Sequence, residues 1–210
     1  MKHKKLPIRI LIAAIGLMIS GIGVGIFIFS QLGVDPASVF QLGLAKQLGI
    51  RYGDASALMN LVILTIVFII DRKFINISSF LAIFLIGYTA DFTSTILMGI
   101  LPSDFSVGIR MVLMIIGCGI MASGIPIYIR ANLGVGAVDL ISEIISDKSG
   151  VAYRMVRIIG DLTLVIVGYF LGGTAGVGTI VAVVMTGPIV QFLRPHTNEM
   201  VDRIIGEYDE

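Results

Sequence analysis

Long apolar runs separated by short polar interruptions dominate the chain, and the lengths of the runs predict its architecture. A bilayer core takes roughly 20 apolar residues per helix, with about 17 to 25 as the usual range. Six runs fit: Ile8 to Phe29, Ala55 to Ile70, Ile77 to Ile100, Val107 to Ile129, Met155 to Leu171 and Val177 to Leu193. Two further stretches, Pro36 to Leu48 and Ala137 to Ser149, carry helical patterns but are too short and too polar to span. They are expected to lie in the membrane interface or to dip partway in. The basic start MKHKKLPIR resembles the head of a secretory signal, but the apolar run after it is too long and lacks a small-residue cleavage pattern, so it reads as the first span. Composition agrees: 56% of residues are hydrophobic, 14% are charged, and the mean hydropathy is +0.99. Lipid, not water, is the expected solvent for most of this chain.

Sliding the sequence against itself by 101 positions shows an internal repeat, a feature to seek before any fold is inferred. Without a gap, Arg9, Ile15, Gly16, Ile19, Gly23, Leu32, Gly33, Val34 and Gly49 meet Arg110, Ile116, Gly117, Ile120, Gly124, Leu133, Gly134, Val135 and Gly150. Each unit holds three spans, so the second copy enters the membrane from the opposite side. The expected fold is an all-α membrane protein of six transmembrane helices in two inverted three-helix repeats, each with a short extra helix that is interfacial or re-entrant. One membrane domain covers residues 1–210, with repeat one at about 8–100, repeat two at about 107–193 and a short cytosolic tail at 194–210.

Charge placement predicts orientation, because cytoplasmic loops carry the excess of Lys and Arg. With both termini inside, eleven basic residues, among them Lys2, Lys4, Lys5, Arg9, Arg130 and Arg194, fall on the cytoplasmic side, against Lys46, Arg51 and Arg110 outside. The net charge of +1 gives no reason to expect a nucleic-acid partner. The single cysteine, Cys118, lies within an apolar run, and the two histidines, His3 and His196, lie in polar ends. Neither a metal site nor a cofactor is expected. Tyr52, Tyr88, Tyr128, Tyr153 and Tyr169 are candidates for an interfacial belt.

Polar groups within apolar runs carry the functional signal, since a charge at the bilayer centre costs about 2.5 to 3.5 kcal/mol even on lenient scales. In the fifth span Arg154, Arg157 and Asp161 share one helix face, and Arg157 and Asp161, one turn apart, are placed to pair. That pair is either structural or part of a substrate site. Asp161 aligns with Asn60 of the first repeat. Asp91, with Thr89, Thr93 and Ser94 nearby and no adjacent base, is a candidate proton carrier. Asp35 before Pro36 is a helix-start signal. Gly33 and Gly134 mark helix breaks, either as plain C-cap turns or as openings onto a site. Asp139 and Glu143, on the second short helix, either contact a cation or are simply solvated. Gly21 and Gly25 suit close helix packing.

The run GIGVGIFIFSQLGVDPASVFQLGLAKQLGIRYG, with LGxxPxxxxxxGL and two spaced glycines after it, resembles the YczE/YyaS/YitT family of bacterial membrane proteins. The likeness covers the first half well and the second more loosely. It implies a small multi-pass protein of the bacterial cytoplasmic membrane and brings no settled activity. Inverted repeats and short paired helices favour a secondary transporter. Arg157 favours an anionic or zwitterionic organic solute as its substrate. The alternative is an accessory protein that binds another membrane protein through its glycine-rich faces. No nucleophile, base or metal constellation suggests an enzyme. A bundle this small would enclose a pathway more readily as a homodimer.

Overall fold

The computed structural model describes residues 5–70, 77–102, 105–131, 133 and 136–206, apart from the side chains of Ile77, Ser78, Asp139 and Glu143. Its helices, in chain order, are α1 (Leu6–Ser30), α2 (Pro36–Leu48), α3 (Tyr52–Ile70), α4 (Ile77–Ile100), α5 (Val107–Arg130), α6 (Ala137–Ser149), α7 (Tyr153–Phe170) and α8 (Val177–Ile205). Local chemistry explains several boundaries. Asp35 takes an extended conformation at the N-cap of α2 and accepts from the backbone N–H of Ser38, with Pro36 in the first turn. Gly49 and Gly150 close α2 and α6 in the left-handed conformation, φ +65° and +70°, the standard C-cap solution.

Among the described residues, five helices are long and apolar enough to cross a membrane by length and composition alone, where six spans were expected. The one left out is α7, 18 residues long and carrying Arg154, Arg157 and Asp161. The last helix runs on through Pro195 to Ile205, so the first part of the expected tail belongs to α8.

Helix α1 lies at the centre, packed most extensively on α5 and then on α4. Its contact with α5 is antiparallel: Gly16 lies against Gly124 and Gly23 against Gly117 and Met121, so close that a Cβ on Gly23 would stand 2.1 Å from the Met121 nitrogen. With no hydrophobic drive between helices in lipid, small residues that let backbones touch are what holds such a pair together. Its ends are tied by arginines. Arg9 of α1 donates to the carbonyl of Ala131 beyond α5, at 3.0 Å, and Arg110 of α5 donates to the Gln31 side chain beyond α1. Gly21 and Gly25 instead serve the parallel contact with α4, meeting the backbone of Ile86 and Ala90.

The two short helices cross between the halves of the chain. Helix α2 packs chiefly on α7, where Gly43 meets Gly168, and α6 packs on both α7 and α3, with Val67 and Ile144 in one buried cluster. Gly43 and Ile144 are 101 residues apart, as are Val67 and Gly168. Two glycines allow a backbone contact in the first crossing, whereas Val67 and Ile144 fill the second with side chains. The halves also differ: α4 packs extensively on α3, and α8 makes no comparable contact with α7. Most of α7 is exposed, Gly168 being its one buried residue. Large apolar side chains face outward, Phe170 at 81% exposure and Ile69 at 77%, a surface suited to lipid and not to water.

Candidate functional site

Of the polar residues singled out in the sequence, Asp35, Arg157 and Asp161 gather in one place and Asp91 lies in another. On α7, Arg157 Nε donates to Asp161 Oδ2 at 3.0 Å, the expected one-turn pair, with both side chains partly buried. The crossing of α2 over α7 brings the N-cap acid Asp35 within electrostatic reach of both. Asp35 Oδ2 is engaged by the Ser38 N–H at 3.2 Å. Its Oδ1, like Oδ1 of Asp161, is buried and accepts no hydrogen bond, and these are the two such side-chain atoms among the described residues. A buried carboxylate oxygen without a donor costs about 1 to 3 kcal/mol or more, so Asp35 and Asp161 each present an acceptor suited to an incoming hydrogen-bond donor or cation.

Ser38 links this site to α3, its hydroxyl sharing a 2.9 Å hydrogen bond with Tyr52. Tyr52 is therefore buried within the bundle and not in an interfacial belt; Tyr128 is likewise buried in the core. Both correct the belt assignment, while Tyr88, Tyr153 and Tyr169 are exposed.

The second cluster surrounds Asp91, and here the sequence reading needs correction. Asp91 has a basic neighbour after all, Arg51, at 4.0 Å. Arg51 also pairs with Asp54 at 3.5 Å, and Asp54 accepts from the Tyr88 hydroxyl at 2.9 Å. Arg51 comes from the turn between α2 and α3, forty positions away in sequence, which is why the pair was invisible. The local signals were present: Arg51 and Asp54, and Tyr88 and Asp91, are each spaced by one helical turn.

Asn60 stands apart from both clusters, its amide donating to the Ser56 carbonyl at 2.9 Å within α3. Gly33 is not the C-cap of α1: Gln31 takes the left-handed position, φ 56°, and Gly33 follows at φ +103°. What Gly33 provides is close approach. A Cβ there would lie 2.5 Å from the nitrogen of Gly176, and the neighbouring Leu32 carbonyl accepts from Gly178 at 2.8 Å, clasping the α1–α2 turn to the start of α8. Gly134 lies outside the described residues, as do the side chains of Asp139 and Glu143 on α6.

Apolar helices with outward-facing hydrophobic side chains, held by glycine contacts around a few charged residues, define a multi-pass membrane protein. Residues 7–195 match a family of unknown function (DUF6198), and the chain belongs to that family. It is 27% identical over 192 residues to the uncharacterized membrane protein YczE of Bacillus subtilis (strain 168), covering 91% of this chain and 87% of that one. An uncharacterized protein of Haemophilus influenzae (strain ATCC 51907 / DSM 11121 / KW20 / Rd) is also 27% identical, over 185 residues, 88% of this chain and 82% of its own. No solved structure matches.

Proposed function

We propose that this protein is a small secondary transporter of a zwitterionic or anionic organic solute, bound where α2 crosses α7. The observation that carries the reading is the group Asp35, Arg157 and Asp161: a guanidinium paired with one carboxylate and within electrostatic reach of a second, each carboxylate with an oxygen left without a donor. A solute carboxylate would face Arg157, and an ammonium or hydroxyl would engage the unpartnered oxygens. Charged groups inside such a bundle mark substrate pathways in general.

The architecture supports the same reading. The contacts Gly16 to Gly124 and Gly23 to Gly117, which exchange with one another under the 101-residue offset, suit two inverted repeats of three spans related by an axis between α1 and α5, with α7 counted as a sixth span. In transporters of that plan, one repeat rocks or gates against the other to open a central site to either side. Helix α4 packs extensively on α3 whereas α8 makes no comparable contact with α7, so the two halves are not packed alike. Both termini are assigned to the cytoplasm from the basic residues.

The test is a thermal-shift screen of the purified protein against pooled metabolites, repeated with Arg157→Gln and Asp161→Asn. A ligand that binds only the folded state raises its midpoint. Transport predicts a stabilising solute whose effect is lost in both variants. No shift in any pool, together with co-purification of one membrane partner, would favour an accessory role instead.

A further inference from the structure

At the end of the bundle opposite Arg110, a cavity of about 410 Å³ opens between α1, α5 and α8. That volume falls within the range of about 300 to 1,000 Å³ usual for small-molecule sites. Three guanidiniums line it, Arg9, Arg130 and Arg194, together with the amide of Asn198, while Pro126 and Val190 add apolar lining. Arg9 is held by the Ala131 carbonyl at 3.0 Å, and Arg130 by Asp202 through two bonds of 2.7 and 2.5 Å. Arg194 is exposed and makes no ion pair among the described residues. Thus two arginines are oriented by the fold and a third is available to a ligand. Arginine's planar fork matches phosphate oxygens two at a time.

We propose that this cavity binds a phosphate-bearing anion. Arg9 stands at the end of the first turn of its helix, Arg130 at the end of α5, and Arg194 just beyond the apolar run of α8, so the cavity lies where apolar helix surface gives way to polar. Basic pockets at that level between helices suit anionic headgroups, and the apolar lining beside the arginines suits an amphipathic ligand. A phosphatidylglycerol headgroup and free phosphate present the same chemistry. The site is separate from the α2–α7 cluster and does not depend on transport; it rests on the proposed orientation only in drawing its lipid from the cytoplasmic leaflet.

The experiment compares the intact purified protein with Arg194→Gln and, as a control of equal charge change outside the cavity, Lys148→Gln. Thermal midpoints are followed while phosphatidylglycerol, phosphatidylcholine or inorganic phosphate is titrated in. The expected result is stabilisation by phosphatidylglycerol over phosphatidylcholine, with apparent affinity about five-fold weaker in Arg194→Gln and unchanged in Lys148→Gln. The same pattern with inorganic phosphate, and none with the lipid, assigns the site to a free phosphate. Arg194→Lys, which keeps the charge but not the fork, should retain part of the effect. If Arg194→Gln and Lys148→Gln respond alike to every probe, the proposal is wrong.

Discussion

The hydroxyl of Ser20 donates to the carbonyl of Met121 at 3.1 Å, a buried bond between residues 101 positions apart. That separation is the offset at which the two halves of the sequence align, so Ser20 and Met121 are each other's counterparts. Counterparts touch only on a symmetry axis. The flanking pairs Gly16 with Gly124 and Gly23 with Gly117 exchange under the same offset, as the proposed inverted repeat requires of an axis between α1 and α5.

If the repeats are inverted, equivalent positions must face opposite sides of the membrane. Gln47 and Lys148 are both exposed, lie near the ends of α2 and α6, and are 101 residues apart. Cysteines placed at each in turn should react oppositely with a membrane-impermeant maleimide in intact cells: Gln47→Cys labels, Lys148→Cys does not. Cys118 is buried and gives little background. Labelling of both, or of Lys148→Cys alone, contradicts the proposed topology.

The α1–α5 contact should tolerate no added methyl. A Cβ on Gly23 meets backbone at 2.1 Å, whereas one on Gly119 of α5 meets nothing within 4 Å. Gly23→Ala is expected to destabilise by about 1 to 3 kcal/mol through overpacking. Gly119→Ala should be neutral or slightly stabilising, since alanine is the better helix former by about 1 kcal/mol. Detergent-resistant melting of the two variants, measured side by side, checks the difference.

The ion pair on α7 predicts an asymmetry. Arg157→Gln leaves Asp161 without its paired cation and within electrostatic reach of Asp35, and should lower stability by about 1 to 3 kcal/mol. Asp161→Asn keeps an acceptor near Arg157 and leaves it Asp35 as counter-charge, so its cost should be smaller. The double variant should recover part of the Arg157→Gln loss while still failing to bind solute, which separates the pair's structural part from its functional one.

Asp35 has two roles that isosteric replacement can divide. Asn caps a helix as well as Asp does, so Asp35→Asn should leave the melting point nearly unchanged and abolish solute-dependent stabilisation. Asp35→Ala removes the cap as well, at about 1 kcal/mol. Equal loss of stability in both variants would show that the charge itself supports the fold.

Much of this protein was written in one dimension. Bilayer thickness fixes the length of an apolar run, and proline, aspartate and glycine fix where helices begin and end. The eight helices therefore lie close to where the pattern of residues puts them, and the pairing of Arg157 with Asp161 follows from a separation of one turn. The exception is α7, which with three charges in 18 residues is not among the helices that length and composition alone mark as spans.

Contacts between distant segments were decided only by packing. Arg51 reaches Asp91 because the turn after α2 delivers it beside α4, and Tyr52 is buried because Ser38 on a crossing helix meets its hydroxyl. Asp35 joins Arg157 and Asp161 because Gly43 and Gly168 let α2 and α7 touch backbone to backbone. The sequence by itself determined the helices, their solvent and their internal repetition, since these depend on local hydrophobicity, spacing and capping. The tertiary structure decided which charges share a site, because that depends on how closely helices far apart in sequence approach, which is set by the few positions where the side chain is a single hydrogen.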